Sequence, residues 1–198
     1  MSADPDSLYQ TGGIVVPAGA SVPVAPPPLA PGAPPPAATA LPPIPTGPVI
    51  GAVPADIAWD RLRGRAVLLD FFSLGCRPCI AAMPDLVALQ RKYTGRLQIL
   101  GYHIGRGSPA ELAELARKQE LDYPVIISPD FADRNALIPG QPFLEAFGSE
   151  SLPAAALIDP AGKLVAWNLR PADALKKVEE LLGVPATPTA EPSGRAGR

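Results

Sequence analysis

The sequence predicts an α/β fold, a central mixed β-sheet flanked by helices on both faces, and three observations carry that prediction. Ala66-Val67-Leu68-Leu69-Asp70-Phe71-Phe72 is apolar at every position but one, the pattern of a central strand buried on both sides. Strand-like and helix-like segments then alternate as β-α-β-α-β, followed by a hairpin and a final helix. More than half of the 28 prolines precede Asp56, which confines the globular part to 56–183.

The elements follow in order. Ser73-Leu74-Gly75 turns the chain out of the first strand, and a helix should run from Arg77 to Tyr93. Ile80, Met83 and Val87 form one stripe of it, with Leu86, Leu89 and Tyr93 alongside; Pro84 inside it predicts a kink. Leu97 to Ile104 is the second strand. Ser108-Pro109-Ala110-Glu111 opens a helix with a capping box and proline at the first helical position, and Leu112, Leu115 and Ala116 supply its apolar stripe. Tyr123 to Ile127 is a short strand, and Gln141 to Phe147 a short helix ended by Gly148. Ala154 to Asp159 and the stretch from Lys163 to about Asn168 make a hairpin around Pro160-Ala161-Gly162. The last helix begins at Pro171 and stops at Gly183.

Residues 1–55 read as a Pro/Ala-rich flexible leader and 184–198 as a disordered tail. With runs such as Pro26-Pro27-Pro28 and no Lys or Arg before Arg61, the leader cannot bury enough apolar surface to offset its ordering entropy and samples extended conformations. It is a spacer on this reading; a ligand for a proline-recognising groove is the alternative. The net charge of −2, with both signs interspersed, leaves no basic face for nucleic acid. No run of 18 apolar residues is present, so no transmembrane segment is expected. A monomer is expected. Met1 to Asp6 has neither the basic start nor the apolar run of a secretory signal. The chain as given is therefore expected in the cytoplasm, and a signal or anchor upstream would place it in the periplasm or another extracytoplasmic space.

Cys76 and Cys79 are the only 2 cysteines, spaced as Cys-Arg77-Pro78-Cys at the start of a helix. That end of a helix carries roughly half a positive charge and favours a thiolate. Cys76 is the candidate nucleophile, helped by the Arg77 charge, and Cys79, one turn inside, is the candidate resolving thiol. A structural zinc would need four ligands, and the chain offers only His103 besides the pair, so no metal is assigned. An inert pair of buried cysteines is the bland alternative, against which stand Pro78 and the placement at a helix start.

Asp70 interrupts a buried strand, where an unpaired carboxylate is costly. Desolvation should raise its pKa and make it a proton acceptor for the resolving thiol; the alternative is a structural acid satisfied by a lysine or a backbone group. Pro153 enters a strand, for which a cis bond after Leu152 is one reason and an edge strand another. His103 reads as a satisfied core residue rather than a base.

The spacing from Asp70 to Cys76, Cys-x-Pro-Cys, Pro84 after Cys79, Pro153 before a strand and Gly162 in the hairpin turn together resemble the thioredoxin superfamily. The resemblance covers roughly Leu62 to Gly183, and the long section from Tyr102 to Pro153 is most similar to the tethered extracytoplasmic oxidoreductases that serve cytochrome maturation. It implies a thioredoxin fold, Cys76 as nucleophile, Cys79 as resolving thiol, Asp70 as buried proton carrier and Pro153 as a cis-proline holding the substrate. Leu152 would pair its backbone with that substrate chain, and Gly75, Arg77 and Pro78 would form the rim. The chain departs from the family pattern at Gly75, where Trp is usual, and at Ala82, where many tethered members carry an acid. The preceding β-hairpin is also shortened, to Ala55–Arg65.

The function expected is thiol-disulfide exchange with protein disulfides or dithiols, with a second protein recycling the pair and no cofactor. A thiol peroxidase of peroxiredoxin type is one alternative, echoed by Ser73 but opposed by Leu69, where proline would be expected. An interaction module presented by the leader is another. Copper delivery would need a further ligand near the thiols. Pro78 resembles reducing members, whereas Arg77 pushes towards oxidation, so the direction of electron flow stays open.

Overall fold

The computed structural model describes residues 41–51, 57–133 and 135–183. The elements are β1 (Val49–Ile50), α1 (Trp59–Leu62), β2 (Ala66–Phe72), α2 (Arg77–Lys92), β3 (Leu97–His103), α3 (Pro109–Lys118), β4 (Val125–Ile127), α4 (Gln141–Ala146), β5 (Ala154–Ile158), β6 (Leu164–Leu169) and α5 (Pro171–Leu182). The strands form one sheet in the order β1-β4-β3-β2-β5-β6. β2 is buried along its whole length, because β3 pairs with it in parallel from Ala66↔Leu97 to Phe72↔His103 while β5 pairs antiparallel on the other side.

Side chains alternate across a strand, and β2 accordingly feeds two cores. Ala66, Leu68 and Phe72 join Cys79, Met83, Leu86, Leu112, Ala174 and Val178 beneath α2, α3 and α5. Val67, Leu69 and Phe71 join Leu100, Tyr102, Phe143, Leu144 and Phe147 on the opposite face, with Trp59 against them. Phe71 meets Tyr102, Phe143 and Phe147 with ring centroids 6.0, 5.9 and 5.7 Å apart. Helices therefore cover both faces, and the fold class expected from the sequence is the one observed.

Local signals act as their chemistry requires. The capping box closes, with Glu111 N–H donating to Ser108 Oγ at 3.2 Å and Ser108 N–H to Glu111 Oε2 at 2.8 Å. In the β5–β6 turn Gly162 takes φ +84° and its N–H donates to Asp159 O at 2.9 Å, a conformation that favours glycine. α5 ends before Gly183, whose carbonyl accepts from Tyr93 Oη at 2.9 Å and so ties α5 to the end of α2.

The boundary of the leader needs correction. Residues 41–51 were expected inside a flexible leader ending at 55; instead they lie along the sheet. Val49 pairs with Ile126 and Ile50 with Val125, antiparallel. Leu41 and Ile44 pack on the aromatic core, and Trp59 Nε1 donates to Pro42 O at 2.7 Å. β4 would otherwise present an open edge, and an extended proline-rich segment suits an edge strand because its missing N–H groups can face away. Gly47 is needed there, since a Cβ would fall 2.0 Å from Ile127 O. Residues 1–40 and 52–55 of the expected leader, and the tail 184–198, lie outside the described residues. Among the described residues no helix is long and apolar enough to cross a membrane.

Candidate active site

At the C-terminal end of β2 the turn Ser73–Gly75 delivers the chain to α2, and Cys76 N–H donates to Ser73 O at 3.0 Å. Cys76 is the N-cap, and its Sγ accepts from Cys79 N–H at 3.3 Å. The two cysteines form a disulfide. Cys76 is half-buried, whereas Cys79 is 2% exposed, so Cys76 is the more accessible of the two. Gly75, Arg77 and Pro78 are exposed around it. Nothing lies within 4 Å of where a Gly75 Cβ would stand, which leaves the approach to Cys76 open.

Asp70 lies on the same face of β2 as Leu68 and Phe72, in the layer that contains Cys79. It is 7% exposed, its Oδ2 has no hydrogen-bond partner among the described residues, and burial pushes its pKa up to about 7. The lysine or backbone partner of the structural alternative is absent among the described residues. Beside Asp70 is a cavity of about 10 Å³ lined with Leu86, Pro153, Ala155, Leu169 and Pro171, about the least that accommodates one water. Leu152–Pro153 is cis, and Pro153 sits immediately before Ala154, the register partner of Phe71. Asp70 and the cis-proline thus border one cavity. Leu152, packed on the same core as Cys76, makes no backbone hydrogen bond among the described residues.

His103 needs correction. It is wholly buried as expected, but neither ring nitrogen has a partner among the described residues. Its ring packs on Phe72 with centroids 5.6 Å apart, and a Cβ on Gly107 would be 3.3 Å from its Cε1. Burial lowers its pKa to about 4, with Glu111 opposing, so it is a neutral imidazole roofed by apolar atoms.

Two residues near the site were not singled out from the sequence. Tyr123 packs over Gly101, its Cε2 3.5 Å from where a Gly101 Cβ would be; Gly101 is the register partner of Asp70. The Tyr123 hydroxyl is buried without a partner, and burial, with the neighbouring Asp70 charge adding to it, pushes its pKa up. Arg170 Nη1 donates to Pro153 O at 2.7 Å. A signal for Arg170 existed: it is the N-cap of α5 and makes no capping bond, at a position where Ser, Thr, Asp or Asn is preferred and a cation is disfavoured by the helix dipole.

No family model matches the chain. Over 104 residues, 50% of this chain, it is 26% identical to the thiol-disulfide oxidoreductase YkuV of Bacillus subtilis (strain 168), covering 64% of that protein. Over 67 residues, 33% of this chain, it is 28% identical to the thioredoxin-like protein YneN of the same organism, covering 39% of it. The chain thus spans less than two thirds of the length of these curated relatives. A solved thiol-disulfide isomerase from Corynebacterium glutamicum superposes with a TM-score of 0.59 at 17% identity, over 72% of this chain and 97% of that one. The fold is thioredoxin-like, and the disulfide occupies the Cys-x-x-Cys segment at the start of α2.

Proposed function

We propose that the chain is a thiol-disulfide oxidoreductase that exchanges the Cys76–Cys79 pair with protein substrates and is recycled by a second redox protein. The observation that carries this reading is the asymmetry of the disulfide: Cys76 is reachable at a helix start, while Cys79 is buried in the layer of Asp70. The similarity to a protein named as a thiol-disulfide oxidoreductase supports it.

In the reducing direction the Cys76 thiolate attacks a partner disulfide; a mixed disulfide forms and one partner sulfur leaves as a thiolate. Cys79 then attacks Cys76 Sγ and gives its proton to Asp70. The Cys76–Cys79 bond forms, the second partner sulfur is released, and two electrons have passed to the partner. The oxidising direction is the reverse. A carboxyl with a pKa of about 7 takes and returns a proton near neutrality with little driving force lost either way. The unpaired backbone of Leu152 beside cis-Pro153 accepts the partner chain as an added strand.

Trapping tests the reading. Cys79→Ser should accumulate mixed disulfides that dithiothreitol dissolves and that Cys76→Ser abolishes; a Cys79→Ser chain that captures nothing removes the proposal. Cys76→Ser should lower the rate of protein-disulfide reduction by at least about three orders of magnitude. The trapped partners also test the cytochrome-maturation link: apocytochrome thiols among them support it, and a set without them speaks against it.

A further inference from the structure

Arg170 spends one guanidinium donor on the Pro153 carbonyl, at 2.7 Å, and remains exposed. That bond pins the charged head one residue from Leu152, whose N–H and C=O are unpaired among the described residues. No carboxylate among the described residues forms an ion pair with Arg170, not even Asp173, the acid nearest to it in sequence, or Glu150, two residues before Leu152. Arg77, between the cysteines, is likewise exposed and without an ion pair among the described residues. The backbone edge at Leu152 therefore has a fixed cation at one end and a second beside the reactive sulfur. A guanidinium held by one hydrogen bond keeps most of its five donors, in a fork that matches a carboxylate.

We infer that Arg170 is a specificity-determining residue and that the groove takes a partner strand carrying an acidic side chain close to its cysteine. This rests on the exchange function proposed above. The acid would lie along Arg170 while the strand's backbone pairs with Leu152 and its sulfur meets Cys76. Charge complementarity of this kind selects partners and speeds encounter. The contact is at the rim, so its effect should be moderate and weakened by salt.

The test uses short synthetic peptides joined as disulfides and identical except for one residue beside the cysteine, which is Glu, Gln or Lys. The full-length chain, reduced beforehand, is mixed with each, and the second-order rate of peptide-thiol release is measured. The expected order is Glu, then Gln, then Lys, with about threefold to tenfold between the extremes and less at high salt. Arg170→Gln should flatten the order and Arg170→Lys keep part of it. Arg170→Glu should reverse it in favour of Lys, which a purely structural role for the Pro153 bond would not produce. Equal rates for the three peptides in the unaltered chain, or an unchanged order in Arg170→Glu, overturn this inference alone. Release from none of them overturns the exchange function and this inference with it.

Discussion

On the face covered by α4, Phe71, Tyr102, Phe143 and Phe147 interlock ring against ring. On the opposite face, under α2, α3 and α5, the same strands and the chain leading into β4 place Asp70, His103 and Tyr123, whose buried polar atoms include four with no partner among the described residues. Each such group costs roughly 1–3 kcal/mol when left unsatisfied. The disulfide sits on this second face. The contrast teaches where the chain concentrates such groups: the α4 face is mainly ring packing, with Ser149 Oγ at the end of α4 its one orphaned hydroxyl among the described residues, and the other face holds four of them in the layer of the cysteine pair.

Phe71 offers the hardest way to break that comparison. Phe71→Ala removes a ring from three aromatic neighbours and should cost about 3–5 kcal/mol, read by urea unfolding of the oxidised chain anywhere between pH 4 and 8. Phe71→Leu should cost under about 1.5 kcal/mol and secures the comparison if the alanine variant does not fold. For the folded leucine variant, the pH profile of protein-disulfide reduction should match the unaltered chain. A displaced profile would show that the two faces are not separable.

Asp70 tests the other face. Its carboxyl titrates at 3.8 when unperturbed and at about 7 in the fold, so the folded chain keeps a proton that the unfolded chain loses. The resulting stabilisation is fully present below about pH 4, fades as pH rises, and is gone above about pH 7, a swing on the order of 4 kcal/mol. Asp70→Asn should remove the swing from the unfolding free energy plotted against pH. It should also slow resolution of a Cys76 mixed disulfide by about two orders of magnitude near pH 7. An unfolding profile that keeps its full pH dependence would mean another group carries the proton.

His103 should give a smaller effect of opposite sign. Its pKa falls from 6.5 to about 4 on folding, so its stabilisation is present above pH 6.5 and is lost as pH falls towards 4. In the unaltered chain this loss runs against the gain from Asp70 over the same window. His103→Leu should therefore steepen the acid-side gain in stability, and a curve unchanged by the substitution would sink the assignment.

What was legible in the sequence was local. The apolar run of β2 with one acid in it, the Cys-x-Pro-Cys at a helix start, the capping box at Ser108 and the proline before β5 each carry their own physical signature. The edge strand β1 did not, because two residues, Val49 and Ile50, have no period; their reason is the open edge of β4 and the seat that Trp59 gives Pro42. Tyr123 escaped for a related reason. Its proximity to Asp70 depends on the register that puts Gly101 opposite Asp70, and register is set only when the sheet assembles. Whether His103 is satisfied likewise depends on what the turn after β3 sets beside its ring, where Gly107 stands, and the strand pattern carries no sign of that.

Ser108 gives the smallest effect and reaches the border of the reactive face, since it follows Gly107, the residue over His103. Ser108→Ala removes an acceptor for Glu111 N–H and a donor to its carboxylate, and at pH 7 should cost about 1 kcal/mol of unfolding free energy. The Ser108 backbone N–H, then its hydroxyl, hold the Glu111 pKa below the ordinary value of 4.5. The part of the capping box that needs the charged carboxylate is therefore present above pH 4.5 and lost as pH falls below it, and the cost of Ser108→Ala should shrink there. Disulfide exchange should proceed at the unaltered rate. A slower exchange would instead show that the start of α3 is coupled to the cysteine turn through Leu74, whose Cδ1 lies 2.6 Å from where a Gly107 Cβ would stand, and the reactive face would then extend one helix further than its unsatisfied groups indicate.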